Sequence, residues 1–179
     1  MMNQFLIDHA RDFAVQMHRG QLYGKKDYVS HLEDVVRTLN VVGADYATIC
    51  AGWLHDVLED TPIGVDILEK EFGPEITSIV VAVTDKPGRN RRERQEKTYP
   101  AIKDNEKALI VKLADRIANT ENSKHQGGSY WNMYEKEYSF FRGILYSPEV
   151  NGIAKRLWKH LDSLYAHTPA PAHTPAQEQ

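Results

Sequence analysis

Apolar residues along this chain recur at intervals of three and four and almost nowhere alternate one by one. That period belongs to helices that bury one stripe. Phe5, Leu6, Ala10, Phe13, Ala14 and Met17 predict a first helix over about 4–18. The segment HRGQLYGKKDY, with its two glycines, interrupts it. Ser30 as N-cap, with Glu33 three residues later, suggests a capping box opening a helix over about 31–42, which Gly43 ends. A central helix is expected from about Asp45 to Leu58. Pro62 and Gly64 lead into a short helix ending near Phe72 and Gly73, and a second runs from about Pro74 to Thr84. Residues 85–97, DKPGRNRRERQEK, read as a polar basic loop. Asp104 or Asn105 caps a helix reaching about Asn119, a glycine-bearing loop covers 123–129, and two last helices span about 130–146 and 149–165. The run YWNMYEKEYSFFRGILY has apolar and aromatic residues at helical spacing and reads as core or subunit contact. The pattern predicts an all-α fold.

The central helix has two unlike faces. Ala47, Cys50, Ala51, Leu54, Val57 and Leu58 form an apolar stripe, while His55, Asp56, Glu59 and Asp60 fall within an arc of about 140°. Three carboxylates and an imidazole on a packed helix repel one another unless solvent or a cation stands among them, and a divalent ion relieves the repulsion. The helix ending near Asn119 repeats the design: Ile110, Val111, Ala114, Ile117 and Ala118 on one side, Lys112, Asp115, Arg116 and Asn119 on the other. His31 opens an otherwise apolar amphipathic helix. Alone, His31 reads more readily as a helix-start residue than as a ligand, and Asp115 with its cations could be a solvated salt-bridge patch.

Composition narrows the class. The chain has 179 residues, 41% hydrophobic and 26% charged, which suits one soluble globular domain over 1–165. No segment has the length and apolarity of a membrane span, and the N-terminus lacks the basic and apolar regions of a signal peptide. The single Cys50 sits on the apolar stripe, so a cytoplasmic protein without internal disulfides is expected. A net charge of −3 argues against duplex nucleic acid as partner. Residues 166–179 are rich in Pro, Ala and His, repeat AHTPAP as AHTPAQ, and are expected to be a disordered tail.

The order His, His-Asp, distant Asp, carried by HRGQ at 18–21, YVSHLEDVVRTL at 28–39, LHDVLEDT at 54–61, FG at 72–73, AVTDK at 82–86 and VKLADRIANT at 111–120, resembles the HD-domain metal-dependent phosphohydrolases. Within them it is most similar to the hydrolase domain of RelA/SpoT-type enzymes and the small alarmone hydrolases of the stringent response. The resemblance implies an all-α helical bundle with a metal site between core helices, and His31, His55, Asp56 and Asp115 as metal ligands. It implies manganese as the usual ion, although iron, zinc or cobalt would suit the same donors. It gives Glu59 and Asp60 the work on the water and the reacting phosphate, and Asn119 a contact to the nucleoside. The family's Arg-Lys pair after the GQ is replaced here by Tyr23 and Gly24, and its Pro after the first His by Leu32. Tyr23 offers a ring face on which a base could stack.

Phosphate recognition requires cations. Lys25 and Lys26 stand before Tyr28, Lys112 and Arg116 flank Asp115, and Arg91, Arg94 and Lys97 lie in the basic run, which Glu93 and Glu96 could instead balance as a solvated loop. The leading expectation is hydrolysis of the 3′-pyrophosphate of guanosine tetra- or pentaphosphate, or of the adenosine counterpart. The alternatives are an HD-type nucleotidase or phosphatase acting on a nucleoside monophosphate or NADPH, and a catalytically silent nucleotide-binding module. A phosphorylated nucleotide is the expected partner, and a homo-oligomer is compatible with the chain.

Overall fold

A computed structural model describes residues 2–126 and 128–166. The proposed tail from 167 onward lies outside them. The elements in order are α1 (Met2–Met17), a hairpin of β1 (Leu22–Tyr23) and β2 (Lys26–Asp27), α2 (Val29–Val41), α3 (Tyr46–Leu54), α4 (Val57–Asp60), α5 (Val65–Val83), α6 (Arg91–Lys103), α7 (Glu106–Gln126), α8 (Ser129–Leu145) and α9 (Gly152–Tyr165). The fold is all-α apart from that hairpin, in which Leu22 pairs with Asp27 and Tyr23 with Lys26. No helix among the described residues is long and apolar enough to cross a membrane.

Two helices form the centre. α3 packs against α1, α2, α5 and α7, and α7 packs against α2, α3, α5, α6, α8 and α9. Every residue of α3 from Ala47 to Leu54 is buried, because neighbours surround it on all sides. Gly52 is required by this crowding: a Cβ there would lie 2.5 Å from Leu39 Cδ1, itself fully buried. Gly52→Ala is therefore expected to destabilise the protein by about 1–3 kcal/mol, read as a lower denaturant midpoint with an unchanged slope.

Several boundaries depart from the periodicity. The expected helix from Asp45 to Leu58 pauses at His55 and Asp56 before α4 resumes. His55 Nδ1–H donates to the Gly52 carbonyl (2.9 Å), the acceptor a continuous helix would offer to the Asp56 amide. Ser30 and Glu33 form no capping box; α2 begins two residues before the predicted start, with Tyr28 at its N-cap and no side-chain cap. The two helices expected around Gly73 form one run broken there, Gly73 having φ 77°.

The basic stretch 85–97 is not all loop. From Arg91 it is the first half of α6, with Asn90 Oδ1 accepting from the Glu93 amide (2.9 Å). Its charges pair one turn apart, Arg89 and Lys97 with Glu93 and Arg92 with Glu96, while the apolar anchors Tyr99 and Ile102 come only later. α7 runs on past Asn119 to Gln126, taking in buried Thr120 and Ser123. Tyr138 and Arg142 of α8 bond Asp162 of α9 and so tie those helices together.

Candidate metal centre

Four parts of the chain meet above the α3–α7 pair. α2 supplies His31 from its first turn, the pause after α3 supplies His55 and Asp56, α4 supplies Glu59 and Asp60, and α7 supplies Asp115. One nitrogen or oxygen each from His31, His55 and Asp56 lie within 4.8 Å of one another. His55 Nε2 is 3.0 Å from Asp56 Oδ2, and His31 Nε2 is 3.6 Å from the same oxygen. Asp115 Oδ1 closes the group at 3.4 Å from His31 Nε2 and 3.8 Å from His55 Nε2.

The protonation pattern asks for a cation. A carbonyl only accepts, so the bond to Gly52 fixes a proton on His55 Nδ1 and turns Nε2 toward Asp56. That Nε2 is buried and has no hydrogen-bond partner of good geometry among the described residues. With a bare lone pair it would face a carboxylate oxygen at 3.0 Å. Burial opposes charging the ring, yet the Asp56 carboxylate outweighs it and raises the His55 pKa to about 9. The Asp56 and Asp115 carboxyls are held below their ordinary range: burial favours the neutral acid, but His55 for the first and Lys112 for the second prevail. A proton or a metal ion must occupy this space, and two imidazoles with two carboxylates are a donor set for a divalent first-row metal.

A layer of aromatic and amide groups braces the ligands. Tyr28 Oη lies 2.6 Å from Asp56 Oδ2 and 3.0 Å from Asp60 Oδ2, able to donate its proton to either. The Tyr23 ring stacks on His31 at 4.8 Å, and its hydroxyl donates to Asn119 Oδ1 (2.6 Å) while Asn119 Nδ2 donates to Asp115 Oδ1. The HRGQ segment serves the same end. His18 stacks under Tyr28 and binds Gln21 Oε1 through Nδ1 (2.8 Å), and Gln21 Nε2 donates to the Asp60 carbonyl (2.8 Å).

A cavity of about 190 Å³ opens over the ligands. Its wall includes Tyr23, Tyr28, Glu59, Asp60, Asp85, Arg91, Lys112, Arg116, Asn119 and Tyr134. Glu59 sits at the rim with Oε1 accepting from the Asp85 amide (2.7 Å). Burial, countered in part by Lys112, raises the Glu59 pKa to about 7. Lys112 Nζ donates to Asp115 Oδ2 (3.1 Å); burial opposes its charge, but Asp115 and Glu59 prevail and push its pKa up. A second cavity of about 200 Å³ adjoins the first and shares Tyr23, Asn119 and Tyr134 with it.

A profile described as HD domain matches residues 10–138, most of the chain. The chain belongs to the HD-domain family. A GTP pyrophosphokinase of Streptomyces coelicolor is 35% identical over 125 residues, 66% of this chain but 15% of that protein, so the chain spans a small part of that relative. The guanosine-3′,5′-bis(diphosphate) 3′-pyrophosphohydrolase MESH1 of Drosophila melanogaster is 29% identical over 161 residues, covering 86% of this chain and 89% of that one. A solved structure described as a metazoan ortholog of SpoT that hydrolyzes ppGpp superposes with a TM-score of 0.75 at 24% identity, covering 89% of this chain and 93% of its own. That likeness shows the fold.

Sequence reasoning and structure diverge over the cations. Tyr28, Arg91, Lys112, Arg116 and Asn119 line the HD-domain cavity. Lys25 and Lys26 do not; they are exposed at the tip of the hairpin. Arg94 is drawn to Asp85 (3.4 Å), which does line the cavity, and Lys97 to Glu93 and the Pro87 carbonyl; neither cation is itself part of the lining. Asp85, Gln95, Tyr99 and Tyr134 complete the lining and were not singled out from sequence. Asp85 lies in the AVTDK segment that carries the resemblance but was given no role there; Gln95, Tyr99 and Tyr134 lie on α6 and α8, where nothing in the local spacing marks them.

Proposed function

We propose that this HD domain hydrolyses the 3′-pyrophosphate of guanosine tetra- or pentaphosphate or a close analogue, releasing pyrophosphate and the nucleoside 5′-diphosphate or 5′-triphosphate. The observation that carries the reading is the convergence of His31, His55, Asp56 and Asp115, with the unpartnered His55 Nε2 facing Asp56. These four residues would hold the divalent ion, for which manganese suits the mixed nitrogen and oxygen donors. When bound, such an ion lowers the pKa of water and shares charge that develops at phosphorus.

The chain's own residues do the rest. Glu59 and Asp60 reach the cavity from one short helix and take the proton of the attacking water or orient it. Lys112, Arg91 and Arg116 face the phosphates as one point charge and two forks. The second cavity, largely uncharged and carrying Tyr23, Tyr130 and Tyr134, adjoins the first through Asn119 and suits the nucleoside. The similarity to MESH1, nearly end to end, supports this substrate class. The single buried Cys50 fits a reducing, cytoplasmic setting.

The test is product release by the manganese-loaded protein from guanosine tetraphosphate, its adenosine counterpart, deoxynucleoside monophosphates and NADPH. Pyrophosphate release from the tetraphosphates at a kcat/KM at least about tenfold above the rest is expected. Orthophosphate release from a monophosphate or NADPH as the dominant reaction would replace this reading with that of an HD-type phosphatase.

A further inference from the structure

Behind the phosphate-facing wall lies an acid for which neither the ligand cluster nor the hydrolytic step has a use. Glu137 of α8 meets Arg91 Nε through Oε1 (2.6 Å). Its Oε2 accepts from Gln95 Nε2 (3.2 Å) and Arg116 Nη1 (3.3 Å). One carboxylate thus gathers two guanidiniums and an amide from α6 and α7, and all three of those residues line the cavity. Arg116 is 3% exposed and lies over the Tyr134 ring at 4.9 Å and the Phe141 ring at 4.5 Å. A cation so deeply buried needs a counter-charge, and Glu137 supplies it. Burial would raise the acid's own pKa, but Arg91 and Arg116 hold it below the ordinary range.

We propose that Glu137 is a positioning residue for phosphate binding, gripping the Arg91 and Arg116 forks at the cavity wall before substrate arrives. Two opposite effects are in play. Glu137 lowers the net positive charge beside the phosphates, which weakens attraction. It also removes the rotamer freedom that two long side chains would otherwise lose on binding, which strengthens it. The fork geometry decides for the second: Oε1 takes the Nε of Arg91, leaving the outer nitrogens for a ligand, and Arg116 is buried apart from its place in the cavity wall.

The inference rests on the phosphate-binding reading of the cavity but is tested without turnover. Calorimetric binding of inorganic pyrophosphate to the metal-loaded protein is compared for wild type, Glu137→Gln, Arg91→Met and the double variant. Glu137→Gln is expected to weaken pyrophosphate about tenfold, with most of that loss absent in the Arg91→Met background. Manganese affinity should remain within about threefold of wild type, because Glu137 is not among the ligand group. With a nucleotide substrate the loss should fall on KM and leave kcat within about threefold. Unchanged or tighter pyrophosphate binding in Glu137→Gln overturns the proposal, as does an equal loss in both backgrounds. Should Glu137→Gln fail to fold, Glu137→Asp keeps the charge with a shorter reach, and wild-type pyrophosphate affinity in that variant overturns it equally. If wild type binds pyrophosphate yet hydrolyses no nucleotide, the proposed function fails while the role of Glu137 stands.

Discussion

Asp56→Ala should leave a folded protein that no longer retains a divalent ion and turns over nucleotide at least about 10³-fold more slowly than wild type. Asp56 Oδ2 faces both imidazoles, 3.0 Å from His55 Nε2 and 3.6 Å from His31 Nε2. Without it the remaining donors are two nitrogens and one carboxylate that already accepts from Lys112 and Asn119. The change also removes the charge that keeps the His55 ring basic, so the ring is expected to titrate lower. Metal analysis of protein purified without chelator checks the first outcome. Heating checks it independently. Manganese at about 100 times its dissociation constant should stabilise wild type by about 2.7 kcal/mol, raising Tm by about 5–10 °C for a chain of this size. Chelator should abolish that rise, and Asp56→Ala should never show it. A variant that keeps stoichiometric metal and full activity would remove Asp56 from the centre.

The contrast between Asp56 and the cationic residues shows which parts of the site a sequence can carry. His55, Asp56, Glu59 and Asp60 lie within six residues, so a wheel drawn over that stretch gathers them even though the real helix pauses between Leu54 and Val57. His31 and Asp115 come to the same point only because α2 and α7 both pack on α3. Periodicity says that each helix has a core face and is silent on which helices touch; the order of motifs shared with known hydrolases supplied that link. Lys25, Lys26, Arg94 and Lys97 attract notice because they are cations near a motif. Whether a surface cation faces a ligand depends on local partners such as Asp85 and Glu93, which compete for it. Glu137 shows the reverse. It lies in a run whose aromatic residues at helical spacing read as packing, and only the crossing of α6, α7 and α8 brings it to Arg91 and Arg116. The helical character of 91–97 was hidden for a related reason, since that half of α6 carries charge pairs and its apolar buried anchors, Tyr99 and Ile102, lie beyond.

Glu59→Gln and Asp60→Asn should retain the metal of wild type and lose about 10²–10⁴ of its turnover. Both substitutions are isosteric and neither residue belongs to the ligand group, so metal content separates them from Asp56→Ala. Glu59 has the better credentials as proton acceptor. Burial lifts its pKa to about 7, where a carboxylate can both take a proton from water near neutrality and return it. The sign for activity follows: a base must be ionised, so kcat/KM should rise with pH toward about 7, or toward a lower value when a bound cation favours the carboxylate. The sign for stability is opposite. A carboxyl whose folded pKa exceeds its unfolded value holds its proton more tightly in the folded state, so stability falls as pH rises from 4.5 toward about 7. Glu59→Gln cannot ionise and should escape that fall, giving metal-free protein a higher Tm than wild type at pH 8 while almost all turnover is gone. Asp60 is held differently, within reach of the Tyr28 hydroxyl and with its backbone carbonyl pinned by Gln21. Asp60→Asn is therefore expected to lose rate without the Tm gain. Gain in stability joined to loss of rate at position 59 alone would identify Glu59 as a carboxylate kept in the cavity at a cost to the fold for the sake of its proton chemistry. Full activity in both variants would leave water activation to groups other than this acidic pair.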